Sequence, residues 1–256
     1  MNTLRLSIIV AVASVIHVAH AAPTIRDEST GVQFASSLSV EGTRYQCLGA
    51  GVRKVLFFKA YAVTYCLQAS QAQSLVDGYI QKNHPGLKGE KLQDALEDDP
   101  RFFRALADAS GDKLVIMRLV RNISKNQIAD AFRSSLSEVL PKEKVEKLIA
   151  TIPGDAKDGQ KIQLYSKGSE LVIDIAGDAR RIDDAEIAQK LWLVWLGPDT
   201  PTPSLKDSIA KHAASSFGAT PAPASPSTNA AETKTPSPNE EKAATTDPSE
   251  EGETND

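Results

Sequence analysis

The spacing of apolar residues divides the chain between about Thr24 and Phe217 into runs of strand and runs of helix. Val32-Gln33-Phe34, Leu38-Ser39-Val40 and Thr43 to Leu48 have the composition and alternation of strands. Gly49-Ala50-Gly51 follows, and its glycines predict a chain reversal with positive φ. Val52 to Leu67, rich in Val, Phe and Tyr, then predicts one long strand. Along it Val55, Phe57, Lys59, Tyr61, Val63 and Tyr65 share one side, while Leu56, Phe58, Ala60, Ala62 and Cys66 share the other. Both sides are apolar, which predicts a central strand covered on two faces.

The period changes to helical over residues 70–110. Ala72, Leu75, Val76, Tyr79 and Ile80 form one stripe, broken by Asn83-His84-Pro85-Gly86. Leu92, Leu96, Phe102, Phe103 and Leu106 form a second, restarted at Pro100. Lys113 to Arg121 returns to strand. Ser124 with Gln127 predicts a capping box opening a helix through Ile128, Phe132, Leu136 and Leu140, and Pro141 opens another. Lys161 to Tyr165 and Glu170 to Ala176 predict a hairpin joined at Lys167-Gly168. Gly177-Asp178 turns the chain, and Asp183 or Asp184 caps a helix running through Leu196 to the Gly197-Pro198 stop. A short helix from Leu205 to about His212 closes the pattern. Runs of strands followed by runs of helices predict an α+β domain, an antiparallel sheet covered by helices.

Both ends fall outside this pattern. Arg5, the apolar run Leu6 to Val18 and Ala19-His20-Ala21 predict a signal peptide over residues 1–21, with a secreted or periplasmic mature chain from Ala22. The run is short for a bilayer span, so no membrane span is expected after cleavage; an uncleaved anchor is the alternative. From Gly218 to Asp256 there is no Val, Ile, Leu, Met or aromatic residue, and eight acids face two lysines, a net of −6. Residues 218–256 are therefore expected to be a disordered acidic tail, either a solvated extension or a partner-binding arm. The folded domain is residues 22–217. The whole chain carries only −4, so the remainder is close to neutral, which argues against a nucleic-acid partner.

Little chemistry stands out. His84 lies in a Pro/Gly loop without a second His or Cys at ligand spacing, so no metal site is expected. Gly49-Ala50-Gly51 lacks the third glycine, the helix and the downstream acid of a dinucleotide site, and no cofactor is expected. Asp98-Asp99 and Asp183-Asp184 read as helix caps. Trp192 and Trp195 read as core. Cys47 and Cys66 are two strand cysteines for which a disulfide and a pair of buried thiols both remain open.

One ordered set of segments is more specific. Leu48-Gly49-Ala50-Gly51-Val52-Arg53-Lys54, followed by Phe58-Lys59-Ala60-Tyr61-Ala62-Val63-Thr64-Tyr65-Cys66-Leu67, resembles the chalcone isomerase-like family. Met117-Arg118-Leu119-Val120-Arg121 ahead of Ser124, the Lys161–Ala176 strand pair and Ile182 to Gly197 continue the resemblance in order, over about Val40 to Ile209. Residues 70–110 match least and read as an insertion. The resemblance implies an open-faced β-sandwich, with an apolar cleft between a large antiparallel sheet and its helices.

The family's isomerases use an Arg after the glycine turn, matched here by Arg53. Their strand Thr falls at Tyr61, their helix Tyr at Ile128, their Asn at Ser135 and a last Thr near Gly177. Nothing in that set stabilises a phenolate, so a non-catalytic chain is expected. Arg53 with Tyr61 instead resembles the carboxylate anchor of the family's fatty-acid-binding members, since a guanidinium fork and a phenol can share one carboxylate. The alternative for these two is an exposed turn residue and a core residue. The expected function is a carrier or sensor of a fatty acid or similar apolar carboxylate. An isomerase (intramolecular lyase) working on an apolar substrate through Arg53, and a protein-interaction domain using the acidic tail, are the competing readings.

Overall fold

The computed structural model describes residues 23–216. The expected signal peptide and acidic tail lie outside the described residues. In chain order come β1 (Thr24–Arg26), β2 (Gln33–Ala35), β3 (Ser37–Val40), β4 (Thr43–Val55) and β5 (Phe58–Gln68). Then follow α1 (Ala69–Asn83), α2 (Gly89–Glu97), α3 (Pro100–Ala107), β6 (Lys113–Leu119), α4 (Lys125–Leu136) and α5 (Lys142–Ala150). The chain continues through β7 (Lys161–Lys167), β8 (Glu170–Ile175), β9 (Asp178–Asp183), α6 (Ala185–Lys190), α7 (Leu193–Leu196) and α8 (Pro203–Ser216).

Strands β3 to β9 form one antiparallel sheet in sequential order, and β1 pairs with β2 in a separate ribbon. The two faces of β5 enter two different cores. Tyr61, Val63, Tyr65 and Leu67 join the large core made with the helices. Ala62 and Cys66 face a smaller core with Tyr45, Cys47 and Leu114, closed by Phe34 of the ribbon. The α+β sheet-and-helix architecture and the two-sided central strand are thus as the apolar pattern predicts.

Local signals act where they stand. Ser124 and Gln127 make the reciprocal bonds of a capping box at α4. Asp184 caps α6 through the amides of Glu186 and Ile187. Asp99 caps α3 through the Arg101 amide and also takes bonds from Tyr79 and His84. Burial pushes the Asp99 carboxyl up, but the bonds from Arg101, Tyr79 and His84 outweigh it and hold the group at about 2.

Three expectations are corrected. The glycine segment 49–51 is no turn: β4 runs straight through it, and neither glycine has positive φ. The reversal lies further on, at the two-residue loop Leu56-Phe57, so Val52–Leu67 is split between β4 and β5. The helix expected through Leu196 is broken at Leu191-Trp192 into α6 and α7, and β9 occupies a stretch expected to hold only a turn.

The glycines serve close packing. A Cβ on Gly49 would sit 2.7 Å from the Ile209 amide nitrogen, and one on Gly51 would strike the backbone of Leu205. Helix α8 therefore rests directly on β4, antiparallel to it. Beyond Gln46 strand β3 no longer covers this edge of β4. Ser208 and Ser204 of α8 accept from the amides of Ala50 and Val52, each at 3.0 Å. The match is metrical: four helical residues advance about 6 Å, two strand residues about 6.7 Å. An exposed sheet edge is thereby paired without another strand.

Cys47 and Cys66 stand directly opposite in the β4–β5 register and form a disulfide, settling the alternative left open by the sequence. Closure of the 19-residue separation constrains the unfolded chain, and its reduction is expected to lower stability by about 3 kcal/mol in chemical denaturation. Gly51→Ala is expected to cost about 2 kcal/mol, because the α8 backbone must move. The same change at Gly78, on the exposed face of α1 with nothing within 4 Å of its would-be Cβ, should stabilise by about 0.5 kcal/mol.

Candidate functional site

In β4, Gly49, Gly51 and Arg53 follow one another on the face that receives the helices. The glycines are covered by α8; Arg53, one step beyond, extends past it. Arg53 pairs in register with Tyr61 on β5, which pairs in turn with Leu119 on β6. These strands form the floor of a cavity of about 430 Å³, together with Met117 and Ile162. Ile128, Ala131 and Phe132 of α4 and Val194 and Trp195 at α7 form its roof. That volume falls within the range of small-molecule sites. Its wall is mainly aliphatic, with Arg121, Asn122, Gln127, Asp130 and Ser134 towards its polar side.

Three hydrogen-bond donors meet at one end. The Arg53 guanidinium is half-buried and makes no ion pair with any acid among the described residues. Tyr61 is buried; loss of solvent pushes its phenol up, partly opposed by the Arg53 charge and by donors from Trp195 and Arg53. The phenol therefore stays protonated at neutral pH and offers an O–H. The Trp195 indole N–H lies near enough to favour a phenolate, yet it is buried and forms no hydrogen bond of proper geometry. A buried N–H without an acceptor costs about 1–3 kcal/mol. Arg53, Tyr61 and Trp195 together set N–H and O–H groups at one end of an apolar trough.

Sequence reasoning singled out Arg53 and Tyr61, and the structure sets them side by side. Trp195 was read as core, as was Trp192. Trp192 indeed donates from Nε1 to the Ala188 carbonyl at 2.6 Å. Trp195 is a core residue too, 1% exposed, and it also borders the cleft, a second role that nothing in a Trp-x-x-Trp spacing announces. Ile128 lines the cleft, Ser135 faces a different depression beside Gly197, and Gly177 lies at the β8–β9 turn.

A wider cavity of about 830 Å³ lies between β1, α1 and α8. It is bordered by Glu28, Lys54, Asp207 and Lys211 and contains neither Arg53 nor Tyr61. It is more open and more polar than the cleft, and no buried donor of its described lining lacks an acceptor, so the smaller cleft is the better site. Among the described residues no cluster of three His, Cys, Asp or Glu side chains could hold a metal ion.

No family model matches the sequence, and no curated protein matches it. A solved structure does. The chain superposes on the crystal structure of a fatty-acid binding protein from Arabidopsis thaliana with a TM-score of 0.59, at 15% identity, over 77% of this chain and 100% of that one. The chain has the chalcone isomerase-like fold. In this fold the sheet carries its helices on one face, and the Arg53–Tyr61–Trp195 cleft lies between them. At this identity the likeness concerns the fold, and the cleft's chemistry has to be argued from the side chains present.

The two tryptophans give a direct check on that chemistry. Trp192→Phe deletes a satisfied donor, whereas Trp195→Phe deletes one without an acceptor. The first variant should be less stable than the second by about 1 kcal/mol in urea denaturation.

Proposed function

We propose that this chalcone isomerase-like domain is a non-catalytic binding protein for a fatty acid or similar apolar carboxylate. The observation that carries the reading is the Trp195 indole N–H, buried without an acceptor beside the protonated Tyr61 phenol and the Arg53 guanidinium, which has no acid partner, at one end of a trough that is otherwise mainly aliphatic. A carboxylate completes that set. The guanidinium gives a fork of parallel N–H bonds, and the phenol and indole supply further donors to the same two oxygens. The acyl chain then lies along Met117, Leu119, Phe132 and Val194, gaining about 0.8 kcal/mol for each methylene buried. The structural neighbour's own description as a fatty-acid binding protein supports the same reading.

Two further features agree with it. The isomerase positions are occupied by Tyr61, Ile128 and Ser135, so the helix Tyr and Asn that the resemblance implies for catalysis are absent from their places. The disulfide suits an oxidising compartment, in keeping with export of the mature chain.

The test is native mass spectrometry of the protein purified without detergent, beside Arg53→Ala. Wild type is expected to carry adducts in the acyl-lipid mass range and Arg53→Ala to lose them, its affinity for added fatty acid falling about thirtyfold. Titration followed by tryptophan emission should respond in wild type and in Trp192→Phe but not in Trp195→Phe. Empty wild type that also fails to take up added fatty acids would overturn the proposal.

A further inference from the structure

The β4–β5 loop breaks the rules that govern the rest of the surface. Val55, Leu56, Phe57 and Phe58 are 46%, 84%, 96% and 59% exposed, and they are the large apolar side chains that the described residues leave in solvent. They occupy the two-residue loop and its flanking pair, Val55 opposite Phe58. Turns of this kind are made by Gly, Asn or Asp, because the first loop position needs positive φ. Here Leu56 holds φ at 54° with a bulky side chain, a strain that glycine would remove. The loop thus carries both a solvation cost and a conformational cost that folding does not require.

Its surroundings are basic. Lys54, Lys59 and Arg121 are exposed and make no ion pair among the described residues. Lys59 donates to the Ser29 carbonyl, and Arg121 lies over the Phe58 ring at 4.8 Å from its centroid. Arg121 and Val55 also line the cleft that holds Arg53 and Tyr61. The loop and the cleft mouth therefore belong to one end of the molecule.

We propose that the Val55–Phe58 tip inserts into the interface of an anionic lipid bilayer, with Lys54, Lys59 and Arg121 on the headgroups. A projecting wedge of Leu and Phe ringed by cations is the arrangement a membrane interface rewards on both counts, apolar burial and attraction to anionic lipid. A protein partner suits it less well. A stable interface needs about 800 Å² from each side, more than a two-residue loop and its flanks present. Docking through this tip brings the cleft mouth to the lipid. That last step rests on the carrier reading; the docking itself does not.

The test is flotation of the protein with vesicles of phosphatidylcholine, with and without phosphatidylglycerol. The decisive variant is Leu56→Gly/Phe57→Asn, which supplies ordinary turn residues, relieves the strain and alters no residue lining the cleft. Wild type is expected to float with the anionic vesicles and far less with the neutral ones, and raised salt should reduce its binding. The double variant should bind at least about tenfold more weakly while its melting temperature does not fall and its uptake of free fatty acid is unchanged. Lys54→Glu/Lys59→Glu should remove the preference for phosphatidylglycerol. Arg53→Ala should still float, which separates failure of the docking from failure of the carrier reading. Wild type that floats with neither vesicle overturns the proposal. So does a double variant that floats like wild type, or a tip whose substitution abolishes self-association rather than vesicle binding.

Discussion

The antiparallel pairing of β4 with β5 sets Arg53 across from Tyr61, and each other part of the cleft takes its place relative to that pair. Two devices hold the pairing. Cys47 and Cys66 tie the strands at the end remote from the loop. Gly49 and Gly51 clear the surface of β4 so that α8 can lie against it and give its serines to the edge amides. A side chain at either glycine would lift α8 away, uncovering buried amides and opening the core around Leu205 and Ile209. Register is binary in a sheet: a slip of one residue would send Arg53 to the opposite face and leave the cleft without its charge.

The cleft is a region where the chain leaves hydrogen-bonding capacity unspent. Elsewhere in the interior, buried donors have taken acceptors: Tyr65 bonds the Leu106 carbonyl, Thr64 the Gly49 carbonyl and Trp192 the Ala188 carbonyl. At the cleft, Trp195 has none and Arg53 has no acid. Water and a ligand both compete for such groups, and the low polarity of the surrounding Met117, Leu119 and Phe132 favours whichever brings its own apolar bulk. On the proposed carrier reading, selectivity would divide between the two: charge and donor geometry for the head group, and the trough for the tail.

The same end of the molecule carries the exposed loop. Leu56 and Phe57 sit between the paired Val55 and Phe58, which places the wedge beside the cleft mouth. A strained, solvent-exposed apolar turn and a buried indole without an acceptor are two costly features of the fold, and both lie at this end of the molecule. The proposed binding and docking roles would account for both, since neither feature contributes to folding.

What the sequence determined by itself are the features fixed by neighbours along the chain. The capping box at Ser124 and Gln127, the caps at Asp99 and Asp184, the hairpin at Gly168 and the alternation along β5 depend on residues a few positions apart, and each was readable. The ordered motifs from Val40 to Ile209 carried the fold and directed attention to Arg53 and Tyr61. The glycines misled, because positive φ and close approach call for the same residue, and only the arrival of α8 from more than 150 positions away distinguishes them. The two cysteines were ambiguous for the same reason: their pairing depends on where the chain reverses, and it reverses at Leu56-Phe57, residues that no turn preference marks. The second role of Trp195 was hidden. Its place at the wall of the cleft, as well as in the core with Trp192, is decided by a break between two short helices packed on a sheet. Tertiary structure alone settles such a choice, since burial and hydrogen bonding are properties of the surroundings that the fold assembles.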